Sequence, residues 1–282
     1  MGHVYAATHP VAGRLAVKIL APELAGDAHI VERICEEGRL AALVDHRNVV
    51  RVVDHGMTAE GAPFVAMRFT AGEPLGLLVQ REGPLALSRV RAIGTQLLAG
   101  LEAIHATGVV HADLKSDNLL LDVAGGDELT IIDFGLARPP LARLRDDDRI
   151  VSGTPEYMAP ELIRGRPITI AADLYAVGVI LYELVTGTTP FAGGSAAEIF
   201  SRQLDDDVVP PSLRCPDRDI PPALDALILH ALAKHPAHRP RNARIFGTAL
   251  RTAILPSQED ELVNQISPFS TIGPTRRWAR AS

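Results

Sequence analysis

Four stretches of this sequence carry side chains suited to one chemistry: "AVKIL" with Lys18, "HADLKSDNLLL" with Asp113, Lys115 and Asn118, "IIDFGLA" with Asp133, and "GTPEYMAPE" with Thr154 and Glu161. Moving a phosphoryl group onto a hydroxyl needs a cation on the donor's phosphates, two oxygen ligands for a hard divalent metal, and a carboxylate beside the attacking hydroxyl. Lys18 supplies the first, Asn118 with Asp133 the second, and Asp113 the third. Singly each stretch is weak: a strand lysine is ordinarily a solvated edge charge, and Asp and Asn in a loop ordinarily make turns. Their combination in this order is specific.

The elements around them alternate before they turn helical. "RLAVKIL", "VVRVVDHG" and "FVAMRF" are β-rich, and "AHIVERICEEGRLAALV" has apolar residues at helical spacing, so the first 71 residues form a small sheet with one helix. From Glu73 onward helices dominate: "LSRVRAIGTQLLAGLEAIHATG" stops at Gly108 and "AADLYAVGVILYELVTG" at Gly187, as helices stop at glycine. The fold class expected is α+β in two lobes, with residues 1–71 as a sheet lobe, 72–255 as a mainly helical lobe, and 256–282, which lack periodicity, as a loosely held tail.

Composition narrows the class further. The 282 residues are 47% hydrophobic and 22% charged, too apolar for a disordered chain, and the formal charge of -6 excludes a whole-chain attraction to nucleic acid or anionic lipid. Cys35 and Cys215 stand far apart without metal-ligand spacing, which suits two packed thiols in a reducing compartment. The apolar run Leu174 to Tyr182 is too short to span a bilayer, and no signal peptide is visible, so a cytoplasmic chain without membrane or nucleic-acid partners is expected.

The ordered motifs resemble those of eukaryotic-type serine/threonine protein kinases of the bacterial branch, over Gly2 to about Leu255. The resemblance implies ATP and Mg2+ as cofactors and the Ser or Thr hydroxyls of proteins as acceptors. It places Gly2, Val4 and Ala16 around the nucleotide, Met67 at the gatekeeper position, and Arg68, Phe69 and Thr70 at the hinge. It makes Lys18 the phosphate lysine with Glu37 as its helix partner, Glu36 being the runner-up. Asp113 would accept the hydroxyl proton, Lys115 would steady the transferred group, Asn118 and Asp133 would hold magnesium, and Thr154 would bridge Asp113 and Lys115. A lysine two residues after the Asp, as here, resembles the serine/threonine branch. His111 is expected to be structural, Glu161 to pair with Arg239, and Asp173 to hold the backbone of the loop around Asp113.

Two departures from the pattern matter. Ala112 stands where relatives carry an arginine that binds a phosphate on the activation segment, and "LARPPLARLRDDDRIV", residues 136–151, has no Ser, Thr or Tyr to phosphorylate. The expectation is activity independent of that phosphorylation, with Asp146, Asp147 and Asp148 available to pair with nearby arginines. "MGHV" matches only the last Gly-x-Val of the family's glycine-rich loop, so the native start is expected upstream of Met1, a real truncation with weakened nucleotide binding being the alternative. A pseudokinase-like scaffold and a small-molecule phosphotransferase stay open as rival classes, although the latter would lack "GTPEYMAPE" and Arg239.

Overall fold

A computed structural model of the chain describes residues 3–19, 28–133 and 155–254, without the side chains of residues 28–30, 33, 34, 36 and 37. Its first layer is a four-stranded antiparallel sheet of β1 (His3–His9), β2 (Gly13–Ile19), β3 (Val52–Met57) and β4 (Pro63–Arg68), in the order β1-β2-β4-β3, with helix α1 (Ala28–Ala41) against it. Strand register sets which side chains share a face. Val4 lies opposite Lys18, Ala6 opposite Ala16, Ala16 opposite Met67, and Lys18 opposite Val65, so Val4, Ala16, Lys18 and Met67 fall on one side of the sheet.

The second layer is helical. α2 (Leu75–Glu82) and α3 (Leu87–Ala106) precede a hairpin of β6 (Leu119–Asp122) and β7 (Glu128–Ile131), which β5 (Glu73–Pro74) extends into a three-stranded sheet. Among the described residues six further α-helices follow: α4 (Pro160–Ile163), α5 (Ile170–Thr186), α6 (Ala196–Asp205), α7 (Pro211–Arg214), α8 (Pro222–Ala231) and α9 (Ala243–Ala253). The core runs through α3 and α5, whose Ile93, Leu97, Leu101, Leu174, Val177 and Leu181 are fully buried. α5 is buried all round from Ala172 to Thr186, which explains the apolar run in its sequence without a membrane. No described helix is long and apolar enough to cross a membrane.

Two joints fix the layers to each other. Asn48, 4% exposed, donates to Leu129 O at 2.8 Å, while its own carbonyl accepts from Ile131 N at 2.8 Å, stitching the segment before β3 to β7. Gly72 has φ 120, and a Cβ there would meet the Leu121 carbonyl at 2.7 Å, so only glycine lets the chain cross from β4 onto β6 this closely. Helices α3 and α5 end where glycine was expected to stop them, with Gly108 and Gly187 at φ 74 and 80. The two cysteines are free and only half-buried, so neither is the fully packed thiol expected; Cys215 Sγ lies 3.8 Å from Thr186 O.

Candidate active site

The β6–β7 hairpin does the first assembly step. Leu119 pairs with Ile131, and Ile132 N donates to Asn118 O at 2.9 Å, so Asn118 and Asp133 stand side by side at the open end despite fourteen intervening positions. Asn118 is buried in the short 3-10 turn Ser116–Asn118 and spends its Nδ2 on Asp113 O at 2.8 Å and Asp113 Oδ2 at 3.3 Å. The amide oxygen, unlike the nitrogen, is a group that could ligate a hard cation. Asp133 adopts a left-handed backbone, φ 64, which costs a non-glycine residue roughly 1–2 kcal/mol and marks a held conformation. Its Oδ1 lies 2.9 Å from Lys18 Nζ, with the lysine side chain 16% exposed.

Asp113 and Lys115 meet directly, Nζ to Oδ2 at 3.2 Å, both partly buried. Their loop hangs on Asp173, a carboxylate 1% exposed in the first turn of α5. Asp173 Oδ2 accepts from His111 N at 2.9 Å and Oδ1 from Ala112 N at 2.8 Å, which holds Ala112 in its own left-handed conformation, φ 62. Burial works against ionisation of Asp173, but the hydrogen bond from His105, the charges of His105 and His111 and the Ala112 amide outweigh it and hold its carboxyl below the usual range. His111 is fully buried, as a structural residue should be.

A second polar cluster lies under the same loop. Ser116 Oγ is 2.8 Å from Tyr157 OH, which donates to Glu183 Oε2 at 2.7 Å; all three residues are buried. Burial pushes the Glu183 carboxyl up; hydrogen bonds from Tyr157 and Ser116 oppose this, and the charges of Asp117 and Glu156 add to it. Gln203 Nε2 donates to the Glu156 carbonyl and so holds the turn that carries Tyr157, while Tyr175 OH donates to Gln203 Oε1. Nothing in the sequence marks Ser116, Gln203 or Glu183 as members of a cluster, because their partners are distant along the chain. Glu161 and Arg239 do pair as expected, through two hydrogen bonds of 2.7 and 2.8 Å with the arginine side chain fully enclosed.

The described residues thus bring together Lys18, Asp113, Lys115, Asn118 and Asp133. Val4 and Ala16 share the sheet face with Lys18 and Met67, although Val4 is 64% exposed. Arg68 N donates to Arg51 O and Phe69 N to Arg14 O, which anchors the start of the 68–70 segment that includes Thr70. Gly2, Thr154 and residues 136–151 lie outside the described residues, as do the side chains of Glu36 and Glu37; among the described residues Lys18 pairs with Asp133.

Comparison with known proteins agrees with this geometry. A family model described as the protein kinase domain matches residues 1–249. The chain is 39% identical over 262 residues to the serine/threonine-protein kinase pkn3 of Myxococcus xanthus, covering 89% of this chain and 47% of that protein. It is 35% identical over 255 residues to PknA of Mycobacterium tuberculosis, covering 89% of this chain and 58% of that protein. It therefore spans less than two thirds of either relative. Among solved structures, the kinase domain of Mycobacterium tuberculosis PknI superposes with a TM-score of 0.68 at 27% identity, covering 90% of this chain and 91% of that one. A sheet layer and a helical layer joined in this way, with the family model running through nearly the whole described chain, make this chain a member of the protein kinase domain family.

Proposed function

We propose that the chain transfers the γ-phosphoryl group of ATP, with magnesium, to serine and threonine hydroxyls of protein substrates. The observation that carries this reading is the convergence of Lys18, Asp133, Asn118, Asp113 and Lys115 from separate elements onto one cleft between the sheet and the helices. The names of the relatives and the lysine two residues after Asp113 favour the serine/threonine branch.

The donor set suits magnesium. A carboxylate and an amide oxygen are hard ligands, and two protein oxygens leave room for the phosphate oxygens that such a cation keeps in its shell. When bound, magnesium neutralises charge on the phosphates. The protein's own part is positional and electrostatic. Lys18 binds phosphate oxygens, Asp113 orients the acceptor hydroxyl and takes its proton, and Lys115, already 3.2 Å from Asp113, places positive charge where negative charge builds up. Val4, Ala16 and Met67 provide the apolar face for the adenine, and the backbone of residues 68–70 its hydrogen bonds, with the sheet lobe ending near residue 71.

The reading extends to regulation. Ala112 supplies no guanidinium for a phosphate, and its backbone is held by Asp173 instead. Activity therefore does not depend on phosphorylation of the activation segment. Phosphatase-treated protein, shown by mass spectrometry to carry no phosphate on Ser152 or Thr154, is expected to retain its rate of labelled-phosphate transfer, to lose it with a magnesium chelator, and to yield phosphoserine or phosphothreonine. Loss of activity on dephosphorylation would overturn the regulatory part, and phosphotyrosine as the product would overturn the substrate class.

A further inference from the structure

The sequence motifs leave one fully buried amide without a role. Gln203, in the last turn of α6 and 0% exposed, sends its side chain to two other parts of the helical layer. Nε2 donates to Pro155 O at 3.4 Å and to Glu156 O, and Oε1 accepts from Tyr175 OH of α5. We propose that Gln203 is a positioning residue for the acceptor side of phosphoryl transfer, holding the Pro155–Tyr157 turn against the loop that carries Asp113. The proposal rests on the kinase reading above.

The turn needs such a hold. It is three residues of 3-10 helix, a conformation with poor internal hydrogen-bond geometry, and the bond that closes it is the 3.2 Å contact from Met158 N to Pro155 O. Tyr157 OH meets Ser116 Oγ at 2.8 Å, and Tyr157 and Met158 line one small cavity with Asp113 and Leu114. A shift of the turn therefore reaches Asp113. The apolar face and the lysine assigned to the nucleotide belong to β1, β2 and β4, so the turn bears on the acceptor rather than on ATP.

The amide is held in one orientation. Carbonyl oxygens only accept, so the nitrogen with its two hydrogens must face Pro155 and Glu156, and the tyrosine hydroxyl donates to the oxygen. Both donors and the acceptor thus find partners, and a satisfied buried network rigidifies what it joins. The supports are themselves fixed. Lys234 Nζ donates to Gln203 O at 2.8 Å and to Arg202 O at 3.2 Å, which anchors the end of α6, and the Arg239 guanidinium lies 4.8 Å from the centre of the Tyr175 ring while it pairs with Glu161. An apolar side chain would fill this space without losing hydration, so what accounts for the amide is the turn it holds. Gln203 touches no reacting group, and its effect must appear as geometry.

Three substitutions in the full chain test this. Gln203→Met keeps the length and removes every bond, Gln203→Glu keeps an acceptor for Tyr175 but has no hydrogen for the turn, and Tyr175→Phe leaves both N–H donors in place. The measurements are hydrogen exchange at the Met158 amide and, in γ-phosphate transfer, kcat with KM for ATP and for the protein acceptor, using whichever of casein and histone the unsubstituted chain phosphorylates faster. Gln203→Met and Gln203→Glu are expected to speed exchange about tenfold and to raise KM for the protein about tenfold with KM for ATP unchanged, within the ~100-fold that a 1 Å misplacement costs. Tyr175→Phe should stay close to the unsubstituted chain in both. If Gln203→Glu does not fold, the contrast between Gln203→Met and Tyr175→Phe decides. Exchange in Gln203→Met as slow as in the unsubstituted chain, unchanged kinetics, KM for ATP rising with KM for the protein, or a fall in kcat alone, the mark of less folded enzyme, overturns the proposal. If the unsubstituted chain transfers no phosphate, the kinase reading fails and the catalytic role of Gln203 with it, while the exchange measurement still decides whether Gln203 holds the turn.

Discussion

Lys18 in the sheet and Asp133 beyond β7 are 115 residues apart in sequence and 2.9 Å apart in space, a contact that joins the two layers at the cleft. The stitch at Asn48 and the close crossing at Gly72 hold the same two layers together. In the proposed reaction the pair would serve two ends of one assembly, phosphates at Lys18 and metal at Asp133, and the direct contact makes its members a unit.

Lys18→Met and Asp133→Asn are each expected to lower kcat by about 100-fold or more, the scale for removing a preorganised charge from a reaction centre. The double variant should be scarcely worse than the poorer single one, because residues acting as a unit are not additive. Steady-state kinetics on the four proteins checks this; fully additive losses would mean independent roles.

Arg239 and Glu161 set the stability of the helical layer. The guanidinium makes two bonds to the carboxylate and donates to the carbonyls of Ala171, Ala233 and Lys234. Removing one partner strands the other as a buried charge, at a cost of about 3–5 kcal/mol. Arg239→Ala should shift the urea midpoint accordingly, and Arg239→Lys should recover little, since a lysine cannot reproduce the planar fork.

Glu183 gives stability a pH dependence of definite sign. Burial raises its folded pKa above the unfolded value of about 4.5. Its contribution is therefore fully present below about pH 4.5 and is lost as pH rises through the folded value. Glu183→Gln keeps an acceptor for Tyr157 without the charge. Relative to the unsubstituted chain, its urea midpoint is expected to rise between about pH 4 and pH 7. A difference constant over that range would show that Glu183 does not titrate there.

How far these features can be read from sequence depends on the range of the signal. Asp113, Asn118 and Asp133 are legible because their types and order are chemically constrained. The hairpin that juxtaposes Asn118 and Asp133 is not, because strands of four residues are too short to display a period. β1 is exposed along its whole length and so lacks the alternation that marks a strand with one buried face. α3 and α5 are legible to their ends, since long apolar patterns stopped by glycine need no tertiary information. Glu183 reads as the polar end of an apolar run, and His105 as an ordinary helix-end residue. Only the packing of α3 and α5 against the loop gives them partners.

The central claim rests on Asp113, and one comparison tests it most directly: transfer of labelled γ-phosphate from ATP and magnesium to a serine- and threonine-containing protein substrate by this chain and by Asp113→Asn. The account predicts phosphoserine or phosphothreonine from the unsubstituted chain and a rate about 100- to 10,000-fold lower from the variant, the range for loss of a positioned general base. No transfer by either protein, or equal transfer by both, would contradict it.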